Sequence, residues 1–262
     1  MDLGFGGEVA RLYQRYRRGY PPAVFDVLAT TFGLTPQDVV VDLGCGTGQL
    51  TLPIAARVRA VVGVDPEPDM LVLARRAAEE QRVDNVSWVL GADSDLPALG
   101  RLFGDGSVGA VTVGQALHWM AHESVFAGLR PLLRPGGGIA VVANGTPLWL
   151  QDTSWSRALR ACLERWHGTE LSRSCGTDTD SRRRYADALT RHGYHVTETV
   201  VEYTDEIDLD ALLGGVYSSF PVDALPPPAQ RTELSTMIRD ALVPATRFRE
   251  HVRVCVLTGR IG

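Results

Sequence analysis

The segment Asp42-Leu43-Gly44-Cys45-Gly46-Thr47-Gly48 sets a carboxylate ahead of glycines at every second position. Glycines bring backbone N–H groups and a helix N-terminus close to a bound ligand. A dinucleotide loop has the spacing G-x-G-x-x-G, and the third glycine position holds Gln49, which weakens a nicotinamide reading. Asp65 follows seventeen residues after Gly48, where one carboxylate can accept from both hydroxyls of a ribose. Glu67 and Met70 come next, then Asp93 and Ser94 in the loop Gly91–Pro97. Gln115 and His118 stand in Val113-Gly114-Gln115-Ala116-Leu117-His118-Trp119. Imidazole titrates near neutrality, so His118 can take a proton from a hydroxyl, position an acceptor, or pack beside Trp119. His122 is a lesser candidate for the same work. Cys45 has no base beside it in the sequence and reads as a small buried residue, not a nucleophile.

The elements that must position these groups follow from periodicity. Pro21 to about Phe32 has helical spacing with Gly33 as its stop. Asp38 to Asp42 is a β-branched run suited to a central parallel strand, followed by the glycine loop and a helix to about Arg57. Ala60 to Val64 reads as a strand and Pro68 to about Gln81 as a helix. Strands are expected at Val86–Leu90, Val108–Val113 and Gly138–Ala143, with a helix at about Glu123–Leu133 before the Pro135–Gly138 turn. Successive βα units imply a parallel, doubly wound sheet. Helices near Ser154–Trp166, Asp180–Arg191 and Pro228–Leu242 can form a lid, and runs at Tyr194–Tyr203 and His251–Leu257 can add to one sheet edge. Asp205–Asp210 reads as a turn and helix start rather than a metal site.

With its acid followed by G-x-G-x-G, the glycine loop resembles motif I of class I S-adenosylmethionine-dependent methyltransferases, and the likeness extends over most of the chain. It is similar to the broad group of ubiquinone-biosynthesis-like and bacterial secondary-metabolism enzymes. The resemblance implies that Gly44, Gly46 and Gly48 cradle the methionyl part of the cofactor, that Asp42 orients its amino group, and that Asp65 holds the ribose. It also implies that Glu67 and Met70 lie near the adenosine, with Met70 on the adenine face, and that Asp93, with Ser94 beside it, meets the adenine amino group. Gln115 and His118 match a QAxHW-like segment at the carboxyl edge of the sheet. Tyr13-Gln14-Arg15-Tyr16-Arg17-Arg18-Gly19-Tyr20-Pro21 resembles a Y-x-x-Y-R-P-x-Y-P lead-in, in which Tyr16 and Arg17 close over the cofactor. Arg18 stands where that pattern has proline.

These readings give a Rossmann-like α/β fold, mostly parallel with an antiparallel edge strand, plus a small helical lid. The expected parts are a helical cap (1–33), a cofactor-binding core (34–145), and an acceptor-binding insertion with sheet-completing strands (146–262). The expected chemistry is methyl transfer from S-adenosyl-L-methionine to an oxygen or nitrogen of a small molecule, with a bacterial natural-product intermediate favoured. An NAD-dependent oxidoreductase and a cofactor-binding protein without methyl transfer remain the alternatives. With 26 basic and 31 acidic side chains, net charge −5, and no basic clustering, nucleic acid is not an expected partner. No apolar run suggests a leader or a membrane span, so a cytoplasmic location is expected. The 4 cysteines form no CxxC pair, and no metal is expected. All the basic residues are arginine.

Overall fold

The β-branched run Val39-Val40-Val41 becomes strand β1 (Val39–Leu43) at the centre of a sheet in the computed structural model, which describes residues 4–171 and 175–262. β1 pairs in parallel with β2 (Ala60–Asp65) on one side and β4 (Val108–Gly114) on the other. β3 (Val86–Leu90) extends the sheet beyond β2, and β5 (Leu133–Asn144) extends it beyond β4. β5 starts earlier than expected, so Pro135–Gly138 lies within a strand instead of a free turn. Two further strands, β6 (His195–Asp208) and β7 (Arg247–Arg260), give the order β3-β2-β1-β4-β5-β7-β6. β7 runs antiparallel to both β5 and β6. Strand order reverses between β1 and β4, and that switch point is where open α/β sheets leave a crevice for ligands.

Alternation along the strands feeds two cores. Val40, Val61, Ala110 and Val142 face helices α2 (Pro22–Phe32) and α3 (Thr51–Ala55). Their neighbours Val41, Val62, Val111 and Val141 face the opposite layer. That layer is built from α5 (Leu96–Phe103), α6 (His122–Leu129) and α8 (Thr179–Arg191). Fully buried side chains such as Phe32, Phe126 and Leu189 each contribute about 1.5–3 kcal/mol. α4 (Pro68–Gln81) follows β2; proline at its first turn and the Glu67 carboxylate accepting from Asp69 N–H start it where the strand ends.

A third apolar cluster lies outside the sheet layers. It joins α7 (Ser154–His167), α9 (Leu209–Tyr217) and α10 (Pro228–Leu242) with Phe248 of β7, and Leu12 of α1 (Gly7–Tyr16) packs against it. The amino-terminal helix and the carboxy-terminal helices therefore share one small core. The acidic run Asp205–Asp210, expected as a turn and helix start, is the end of β6 followed by the first turn of α9, with Asp208 capping that helix. No helix of the described residues is long and apolar enough to cross a membrane.

Candidate active site

The glycine loop leaves β1 and is pinned to β2: the N–H groups of Gly44 and Cys45 both donate to the Val64 carbonyl, at 2.8 and 3.0 Å. Gly44 has φ +71°, and a Cβ there would meet Ala116 Cβ at 2.5 Å, so the loop lies directly on the segment after β4. Asp65, at the end of β2, braces the loop from below. Its Oδ2 accepts from Gly46 N–H at 2.8 Å and its Oδ1 from Glu67 N–H at 2.9 Å. Burial raises the Asp65 pKa against the lowering effect of those two backbone bonds. One carboxylate thus locks the glycine loop to the start of the following loop.

Asp42 lies beneath the loop. It is 1% exposed, and Thr51 Oγ1 donates to its Oδ2 at 2.5 Å while Thr112 Oγ1 donates to its Oδ1 at 2.7 Å. Both oxygens are hydrogen-bonded inside the sheet, beneath the loop, so the carboxylate supports the loop from the core. Burial drives its pKa up to about 6. An acid whose pKa is raised in the folded state binds protons more tightly folded than unfolded. Its contribution is therefore fully present below pH 4 and lost as pH rises through 6. Two units correspond to roughly 3 kcal/mol. On moving from pH 4 to pH 7, urea unfolding should show Asp42→Asn gaining on the wild type by about 2–3 kcal/mol; a pH-independent difference contradicts this.

Tyr16 and Arg17 face elsewhere. The Tyr16 ring lies against Gly214, where the missing side chain leaves a slot, and its hydroxyl donates to Asp210 Oδ2 at 3.1 Å. Arg17 Nε donates to Ser218 Oγ at 3.0 Å. Both fasten the lead-in to α9 and the turn after it. The residue that faces the loop is Tyr13, whose ring lies 3.9 Å from where a Gly46 Cβ would sit and beneath the Arg17 guanidinium. Burial raises the pKa of Tyr13 and raises that of Tyr20 further. Both tyrosines belong to the recognised lead-in, yet their inward orientation could not be read from spacing alone.

Of the remaining expected residues, Glu67 caps α4 and Met70 is buried behind it. Asp93 Oδ2 accepts from Ala121 N–H at 2.9 Å, tying the loop after β3 to the one after β4. Ser94 beside it is exposed. Gln115 takes a left-handed conformation, φ +55°, unusual for a side-chain-bearing residue, and its Nε2 donates to the Asn144 carbonyl at 3.2 Å. Backbone strain of this kind gathers at functional sites. His118 is half-buried against Trp119, ring centroids 5.0 Å apart, and desolvation lowers its pKa to about 4. It lines a narrow cleft with Gln115, Cys175, Gly176 and Tyr185. His122 stacks edge-on to Tyr185 and Phe126, on the α8 side. Cys45 is buried and burial pushes its thiol pKa well up, so no thiolate forms there at neutral pH. Among the described residues no group of three His, Cys, Asp or Glu side chains could hold a metal.

The fit of a nucleotide-like cofactor is tested by what the loop leaves unsatisfied. The Thr47 hydroxyl is buried without a hydrogen-bond partner; a cleft of about 260 Å³ beside this residue, on the α3–α4 side, is lined by Gln14, Pro53, Glu80 and Gln81 and is a different place from the Asp65 end of β2. Gly46 carries no side chain beneath Tyr13. A loop of three left-handed glycines, a carboxylate at the next strand end and an unspent hydroxyl suit a small polar ligand with an amino-acid end and a sugar.

Residues 40–137 match the family model described as a methyltransferase domain. An uncharacterised methyltransferase of Mycobacterium tuberculosis is 39% identical over 144 residues, 55% of this chain and 53% of that protein. The chain spans about half the length of the curated relatives it matches. Among solved structures, a candidate type II methyltransferase from Anaeromyxobacter dehalogenans superposes with TM-score 0.63 at 23% identity, covering 94% of this chain and 98% of that one. A geranyl diphosphate methyltransferase in complex with S-adenosylmethionine superposes with TM-score 0.51 at 22% identity, covering 99% and 93%. These likenesses show the shared fold. The matched domain makes residues 40–137 similar to a methyltransferase domain, set within that shared fold.

Proposed function

We propose that this chain transfers a methyl group from S-adenosyl-L-methionine to an oxygen or nitrogen of a small molecule, such as a bacterial natural-product intermediate. The observation that carries the reading is the Asp65 carboxylate, bonded to Gly46 N–H and Glu67 N–H beside the sheet's switch point. Gly44, Gly46, Gly48 and Thr47 would hold the methionyl end, Asp65 the ribose, and Met70, Asp93 and Ser94 the adenine. The cofactor supplies a methyl group already activated on sulfur. The protein's own work is to align the acceptor, exclude water and accept or hold one proton. The cap (1–33) and the carboxy-terminal part (146–262) would enclose the acceptor over the core (34–145), a division supported by the apolar cluster they share. The chain's acidic balance favours a small molecule over nucleic acid.

His118 is neutral throughout the physiological range and, with its pKa near 4, a weak base. Its role in this reading is to accept a hydrogen bond from the acceptor and orient it. With a turned-over acceptor, the rate should be flat from pH 5.5 to 8, and His118→Gln should lose about tenfold, the worth of one hydrogen bond. An inflection between pH 6 and 7 that disappears in the variant would instead make His118 the base.

Calorimetric titration with S-adenosylhomocysteine and, separately, NADH tests the reading. Binding of the first without the second supports it; preference for NADH returns the chain to the oxidoreductase alternative.

A further inference from the structure

We propose that Asn144 determines acceptor specificity by taking a hydrogen bond from an N–H or O–H of the methyl acceptor, an inference that rests on the methyltransferase reading above. Asn144 ends β5, and its backbone carbonyl is occupied by Gln115 Nε2 at 3.2 Å. Its Nδ2 donates to the Gly19 carbonyl at 3.0 Å, which fixes which end of the amide is nitrogen. The remaining atom, Oδ1, is buried and has no hydrogen-bond partner. A buried acceptor left unpaired is costly, and such atoms are rare in folded proteins.

Position decides which ligand would satisfy it. Asp65 ends β2, and β2, β1, β4 and β5 are successive neighbours in the sheet. Three strand spacings place the ends of β2 and β5 roughly 14 Å apart. With the ribose held at β2 and the reacting end near β4, Asn144 lies on the acceptor's side. The neighbouring cation Arg18 donates to Glu250 through Nη2, while its Nη1, 3.9 Å from Asp205, is buried without a hydrogen bond as well. A second polar group waits beside it: the Tyr20 hydroxyl lies over Gly114 at the end of β4 and makes no hydrogen bond among the described residues. The chemistry that fits is a molecule carrying a hydroxyl or amine, and Tyr13 and Tyr20 suit an aromatic one.

The test uses matched arenes on the full chain saturated with S-adenosylhomocysteine: phenol against anisole, and aniline against N,N-dimethylaniline, with binding read by saturation-transfer NMR. The wild type should favour the donor-bearing member of each pair by about fivefold. Asn144→Leu should lose that preference while keeping its affinity for S-adenosylhomocysteine. Asn144→Asp, which retains an oxygen acceptor, should keep it, so the comparison survives if the leucine variant fails to fold. Equal binding within each pair by a wild type that binds S-adenosylhomocysteine overturns the role of Asn144. A wild type that does not bind S-adenosylhomocysteine overturns the methyltransferase reading, and this inference with it.

Discussion

Replacing Asp65 with alanine should abolish detectable S-adenosylhomocysteine binding while leaving the chain folded. The carboxylate accepts from Gly46 N–H at 2.8 Å and from Glu67 N–H at 2.9 Å. Each hydrogen bond to a charged acceptor contributes about 1.5–3 kcal/mol, and both donors lie on loops whose shape the ligand requires. Removing them, together with the proposed ribose contacts, should weaken binding by at least about 100-fold, close to 3 kcal/mol. The fold should persist because β1 and β2 remain paired along five positions and the loop keeps its two bonds to Val64. Asp65→Asn, which keeps one oxygen acceptor, should fall between the two. Calorimetry measures the affinity and circular dichroism the fold; an alanine variant binding within threefold of the wild type would remove Asp65 from the cofactor site.

Restoring the proline that the lead-in pattern expects at position 18 should destabilise this protein. Arg18 is a quarter exposed and bonds to Glu250, whose side chain is 0% exposed on β7. Gln151 Nε2 donates to the other Glu250 oxygen. Arg18→Pro would leave that carboxylate buried with an amide as its partner. Stripping one member from a buried pair costs about 3–5 kcal/mol; partial exposure of Arg18 brings the expectation to about 2–3 kcal/mol. For a chain of this size the melting temperature should fall by about 5–10 °C. Combining Arg18→Pro with Glu250→Leu removes the stranded charge and should recover much of the loss. Equal melting temperatures for the wild type and the single variant would show that the pair contributes nothing.

The βα units were legible because each carries its own punctuation. Pro68 opens α4 and Pro228 opens α10, and both helices run over the residues expected. α1 falls inside the expected helical cap (1–33), but its bounds were not readable because its buried residues, Val9 and Ala10, are few and lie among charged neighbours. β6 runs on to Asp208 because Tyr203, Asp205 and Ile207 alternate with more exposed residues along a strand paired to β7, a pattern that acidic composition conceals. Gly44, Gly46 and Gly48 take the left-handed conformations that favour glycine, and Asp65 ends β2, one residue past the strand end expected at Val64. The partners of Asp42, Thr51 and Thr112, were not readable because they lie nine and seventy residues away in sequence. That Tyr13 faces the loop while the Tyr16 ring lies against Gly214 was not readable, because the Gly214 slot is in a helix some two hundred residues later. Asn144 belongs to no motif, and only its unpaired oxygen marks it.

The most direct measurement is a crystal structure of the protein with S-adenosylhomocysteine. The account predicts the ribose hydroxyls within hydrogen-bond distance of Asp65, the amino-acid end on the Gly44–Gly48 loop, and the sulfur turned toward Gln115 and His118. Ligand bound only in the cleft between Gln14 and Glu80, or anywhere with Asp65 still bonded solely to Gly46 and Glu67, would contradict it.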